Sequence, residues 1–176
     1  MLEKIYLKYK DKINYKSILE RENELLYLGT PLEISVKNGN KNRFKFLNNN
    51  IEVELDSIFN KEIKEQLRDK FYKQQAPKVI TPIVKYYEDI MKVRSSKLSY
   101  RKTKTQWGSC SYKNSISLNS YLVMLPKELI EYVVIHELSH IKHKNHSKEF
   151  WSLVECYCPE YKKSKAEIKK YGLFIP

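Results

Sequence analysis

"HELSHIKHKNHSKEFW", residues 136–151, holds all four histidines of the chain: His136, His140, His143 and His146. A metal held by three protein ligands needs three of them, so the fold of this stretch turns on which one is left over. His136 and His140 are four residues apart in a stretch of helical period, which stands their imidazoles about one turn apart on the same side. Ile130, Val134, Leu138 and Ile141 recur at core spacing, so one face packs while its neighbour carries the ligands. In a continuing helix His143 would lie about 10 Å along the axis from His136. Donors sit only about 2 Å from a zinc ion, which makes His143 a poor third ligand.

His146 follows Lys144 and Asn145, and asparagine tolerates the left-handed conformation that ends a helix and turns the chain back. Ser147 then caps a new helix opening "SKEFW", with Glu149 in its first turn. The predicted ligands are therefore His136, His140 and His146, with His143 behind a ligand or at the surface. Glu137 directly follows the first ligand, where a carboxylate can reach a metal-bound water without coordinating the metal. Zinc lowers the pKa of its water toward ~7, and Glu137 is the predicted base that takes the proton.

Outward from this stretch, the helix opens at Pro126, a favourable first helical position. Before it, "KLSYRKTKTQWGSCSYKNSISLN", residues 97–119, has strand character with a turn at "YKNS". Earlier, Phe59, Ile63, Leu67 and Phe71 recur every four residues, with Asp56 or Ser57 as the expected N-cap. A second helical stretch carries Ile80, Ile83, Val84, Tyr87, Ile90 and Met91, and Pro77 and Pro82 predict a break or kink between the two. From Asn23 to Leu55, Leu32, Ile34 and Val36, then Phe44 and Phe46, then Ile51, Val53 and Leu55 alternate with polar residues across "KNGNKN" and "NNN". This predicts a small antiparallel β meander. The division expected is a β-rich segment over 1–56 and a catalytic unit over 57–176.

A chain of 176 residues with 41% hydrophobic residues can bury one core. Residues 1–12, "MLEKIYLKYKDK", interleave basic and apolar residues and do not read as an export signal, and no stretch reaches the ~20 apolar residues of a bilayer span. The expectation is a cytoplasmic protein with no membrane partner. The odd set Cys110, Cys156 and Cys158 reads as reduced thiols rather than a disulfide framework. A formal charge of +12 suits a polyanionic partner, but the lysines are spread along the chain without a basic stripe.

The stretches "TQWGSCS" (105–111), "ISLN" (116–119), "LPKELIEYVVIHELSH" (125–140) and "NHSKEFW" (145–151), in this order and spacing, resemble the YgjP-like metallopeptidase domains, relatives of the SprT-like group within the zincins. The resemblance implies an α+β, zincin-like core: a ligand-bearing helix beside a small antiparallel sheet whose edge accepts an extended substrate. It implies zinc as cofactor, His136, His140 and His146 as ligands and Glu137 as general base. Within "QWGSCS", Gly108 lets backbone approach closely, Trp107 offers a packing surface, and Gln106, Ser109 and Asn119 have polar groups able to orient a substrate. The alternative is a buried tryptophan on a bulged strand bracing the helix.

The leading expectation is a zinc-dependent hydrolase acting on peptides or proteins. The same water can attack phosphorus, which makes hydrolysis of nucleoside triphosphates or another phosphorylated small molecule the alternative. A third reading, from another class, is a DNA-associated protein whose zinc is mainly structural.

Overall fold

Period-two alternation does in β2 (Thr30–Asn38) and β4 (Asn50–Leu55) what a half-buried strand requires: Leu32, Ile34, Ile51, Val53 and Leu55 are buried, while most of the residues between them are exposed or half-buried. The computed structural model describes residue 21, residues 23–47 and residues 50–172. The stretch read for an export signal, residues 1–12, lies outside them, as do Asn48 and Asn49 of the "NNN" turn. β1 (Glu24–Tyr27) joins β2 through the two-residue turn Leu28–Gly29, whose φ values of 51° and 77° match the hairpin turn that suits strand twist. The turn's amides donate to the carbonyls of Val123 (2.8 Å) and Met124 (3.1 Å), which pins the hairpin tip to the short 3-10 segment Ser120–Met124.

The four strands run in the order β1-β2-β4-β3, with β3 being Arg43–Phe46. β2 and β4 are parallel, Ile34 opposite Ile51 and Val36 opposite Val53, and β3 returns antiparallel along β4. The expected antiparallel meander is thereby corrected. β4 buries Ile51, Val53 and Leu55 and takes the inner position, whereas β3 half-buries Phe44 and Phe46 beside exposed Arg43 and Lys45 and sits at the edge.

α1 (Lys61–Ile90) is a single helix of 30 residues containing both Pro77 and Pro82, where a break or kink was expected, and the helix is not broken. Each proline removes one helical hydrogen bond at a cost of about 3 kcal/mol. Against this, Leu67, Phe71, Tyr72, Ala76, Ile80, Ile83, Val84 and Tyr87 form one continuous buried stripe through both halves, and both prolines lie on the exposed side. The N-cap is Asn60, whose side chain accepts from the Ile63 amide at 3.0 Å, rather than the expected Asp56 or Ser57. Phe71 packs on Tyr27 and Phe46, tying α1 to the first sheet. Tyr72 donates to the Leu26 carbonyl at 2.6 Å and meets Tyr121 edge-on.

The second sheet has the order β5-β7-β6, from Lys97–Arg101, Ser115–Asn119 and Gly108–Cys110. It is mixed rather than wholly antiparallel: β5 runs parallel to β7, and only β6 is antiparallel to it. β5 lies against α1, where Tyr100 Oη is 2.9 Å from Thr81 Oγ1. β6 is an edge strand and packs beside α2 (Lys127–Lys142). The expected turn between β6 and β7 is present, with Asn114 in the left-handed region at φ 61°. α3 (Lys148–Tyr157) and α4 (Tyr161–Gly172) complete the described chain, and buried apolar residues from Leu25 to Tyr171 form one cluster. Cys110, Cys156 and Cys158 are free thiols, and among the described residues no helix is long and apolar enough to cross a membrane.

Candidate metal centre

α2 buries Ile130, Val134 and Leu138, the face expected from spacing, and half-buries Ile141. Its last residue is Lys142. His143 is already extended (φ −128°, ψ 104°), so the chain turns back without a left-handed Asn145, which corrects the expected device. The His143 carbonyl is not wasted: it lies 3.0 Å from His140 Nδ1 and accepts from it, leaving His140 Nε2 as the lone-pair nitrogen. Ser147 caps α3 as expected, its side chain accepting from the Phe150 amide at 3.5 Å.

These two ends bring His136, His140 and His146 together, with one ring nitrogen of each within 4.8 Å of the other two. His136 Nε2 and His146 Nε2 are 3.2 Å apart. Two imidazole lone pairs at that distance repel unless a proton or a cation lies between them. Two nitrogens bonded to one tetrahedral zinc stand roughly 3.3 Å apart, so the observed separation fits. Burial, then the neighbouring His140, His146 and Lys165, pushes the His136 pKa down to about 3, so the ring is neutral and ready to donate. Burial also lowers His140. His136 Nδ1 is buried without a hydrogen-bond partner among the described residues, so packing rather than hydrogen bonding orients that ring. His143 contributes its carbonyl, not its imidazole.

The packing comes from residues to which the sequence reading assigned no role. Phe150, fully buried, lies with its ring centroid 5.0, 4.5 and 4.8 Å from those of His136, His140 and His146. Trp151 stacks on His146, and Tyr132 meets His136 edge-on. For Phe150 and Trp151 the signal was "FW" in the first turn after the Ser147 cap, which reads equally well as two core residues, and Tyr132 has the helical spacing to His136 of any core neighbour.

Glu137 is 6% exposed, and burial pushes its pKa up to about 8. It lies against β6. A Cβ built on Gly108 would sit 2.7 Å from Glu137 Cγ and 2.8 Å from Oε1. Gly108 therefore makes room for this carboxyl group. Asn119, 1% exposed, is engaged internally: Nδ2 donates to the Thr103 carbonyl (2.9 Å) and the Gln106 carbonyl (3.1 Å), and Oδ1 accepts from the Tyr121 amide (3.0 Å). It clamps the 103–106 loop behind β6. Trp107 is half-buried against the core and accepts the Asn119 amide on its carbonyl. Gln106 is exposed, and Ser109 lies at the centre of β6 opposite Ser117.

A family model described as YgjP-like, metallopeptidase domain, matches residues 1–171. The metallopeptidase zymogen abylysin of Pyrococcus abyssi is similar at 29% identity over 52% of this chain and 92% of its own, with a TM-score of 0.48. The metallopeptidase zymogen jannalysin of Methanocaldococcus jannaschii is similar at 28% identity over 52% of this chain and 94% of its own, with a TM-score of 0.47. No curated protein matches the chain.

Proposed function

This chain belongs to the YgjP-like metallopeptidase family, and we propose that it is a zinc-dependent peptidase with His136, His140 and His146 as metal ligands and Glu137 as general base. The observation that carries this reading is the meeting of three imidazole donors within 4.8 Å, beside a buried carboxyl group. Zinc held there would supply a Lewis acid for a peptide carbonyl and bring the pKa of water toward ~7.

The chain's own residues do the rest. Glu137, whose ionised form would be favoured by a cation held by the histidines against the effect of burial, takes the proton from the attacking water and passes it to the departing amine. The Phe150, Trp151 and Tyr132 rings hold the imidazoles in place and exclude water from behind them. β6 seats the substrate. Trp107 and Ser111 bond to β7, through Asn119 N to Trp107 O and Ser111 N to Ser115 O, so the alternating backbone groups of Gly108 and Cys110 point to the open edge. An extended peptide adds there as a further strand and passes Glu137. Three free cysteines suit a reducing compartment such as the cytoplasm.

Glu137→Gln tests the base. Zinc content should equal that of the wild type while hydrolysis of an unfolded protein substrate falls by about 10²- to 10⁴-fold. Retained turnover would remove the assignment.

A further inference from the structure

A row of aromatic rings leads from the histidines to the Lys165 ammonium. Trp151 stacks on His146, with centroids 5.5 Å apart and planes at 23°, and also on Tyr161, at 5.2 Å and 19°. The Lys165 ammonium lies 4.3 Å from the Trp151 centroid. Tyr161 and Lys165 are four residues apart on α4, so one helix face offers both to the indole. The steps of 5.5 Å and 4.3 Å keep the ammonium within about 10 Å of the His146 ring, three residues of extended chain.

Among the described residues, no carboxylate lies within ion-pair distance of Lys165. The residues three and four positions away on its helix are Tyr161, Lys162, Ile168 and Lys169, none of them acidic. Two other charges near the site, on Lys144 and Glu149, are engaged. Lys144 donates to the Ser111 carbonyl at 3.2 Å and to Asn114 Oδ1, and Glu149 accepts from Ser147 Oγ at 2.6 Å. Glu137 is buried. α4 carries five lysines against the single Glu167, so the field on this side of the site is positive. An ammonium over an indole face is held by the ring quadrupole and keeps its donors for a ligand.

We propose that Lys165, steadied on Trp151, is a specificity-determining residue that takes a carboxylate of the peptide substrate within about three residues of the scissile bond. The site therefore favours acidic segments. This rests on the peptidase reading above, and binding and turnover are measured separately so that the two can fail separately.

The test uses zinc-loaded full-length protein and amidated peptides that differ only by Glu or Gln at each position around the cleavage point, with a Gln peptide bearing a free C-terminus as a further arm. Cleavage is followed with the wild type. Binding is followed by anisotropy of labelled peptides with the Glu137→Gln protein. The expected result is a Glu-over-Gln preference of about fivefold in both, the size of one partly exposed charge pair. That ratio collapses to about one in Lys165→Met, is restored in Lys165→Arg and persists in Lys162→Met. A preference shown only by the free C-terminus, lost in Lys165→Met, assigns the carboxylate to the chain end and also supports the proposal. Cleavage with no charge preference, or a preference that survives Lys165→Met, overturns it while the peptidase reading stands. Charge-dependent binding without cleavage sinks the peptidase reading and leaves Lys165 as a carboxylate site. Neither binding nor cleavage ends both.

Discussion

Gly108 and Glu137 are in direct contact: the glycine on the edge strand leaves the space that the carboxyl-bearing side chain of the ligand helix occupies, with 2.7 Å between a hypothetical Cβ and Glu137 Cγ. Gly108 has no left-handed φ, so an alanine there meets only this steric conflict and no backbone strain. Gly108→Ala is expected to push Glu137 out of position. A displacement of about 1 Å lowers kcat roughly 10²-fold, with zinc content and the folded spectrum kept. An unchanged kcat would show that Glu137 has room to move and that Gly108 serves only the strand.

In the metal-free protein, pH acts in opposite senses on His136 and Glu137. Folded His136 has its pKa pushed down to about 3, whereas an unperturbed histidine takes up its proton near 6.5. Below pH 6.5 the unfolded state thus binds a proton that the folded state refuses. Stability falls as pH drops through this window, by at most about 1.4 kcal/mol per pH unit. Glu137 works in the opposite sense. Its folded pKa near 8 keeps a proton that the unfolded chain releases near 4.5, so stability falls as pH rises from 4.5 to 8. Urea midpoints across this range should show a flatter acid limb for His136→Asn and a flatter neutral limb for Glu137→Gln. Limbs as steep as the wild type's in both variants would assign the slopes to other groups.

The prolines of α1 give a test of the fold that leaves the site alone. Pro77 and Pro82 lie on the exposed side of a helix that continues through them. Replacing each with Ala restores an amide donor and is expected to stabilise the protein by about 1 to 3 kcal/mol. Denaturant unfolding measures this, with zinc affinity as the control. A lower midpoint in both variants would mean that the prolines shape a bend the core requires.

These outcomes also mark what could be read from residues alone. His136 and His140 at helical spacing and a serine beyond His146 are local features, legible because a helix face and a cap depend on residues near in sequence. Pairing order is not local: alternation in β2, β3 and β4 is the same whether β4 lies outside β3 or slides in beside β2, and the deeper burial of Ile51, Val53 and Leu55 that goes with the inner place is a property of the assembled fold. The helix runs unbroken through its prolines for a similar reason, because a continuous stripe from Leu67 to Tyr87 outweighs two missing hydrogen bonds. Phe150 touches all three histidine rings only because the chain doubles back, and the contact of Gly108 with Glu137 joins residues 29 positions apart in two different elements. The left-handed Asn145 proved unnecessary once His143 went extended and gave its carbonyl to His140.

Zinc titration of the metal-free protein and of four single variants tests the central claim most directly. The wild type should bind one equivalent. His136→Ala, His140→Ala and His146→Ala should each weaken binding by orders of magnitude, while His143→Ala, which keeps the backbone carbonyl, should leave affinity within about twofold. Loss of binding in His143→Ala with retention in His146→Ala, or no stoichiometric binding by the wild type, would contradict the account.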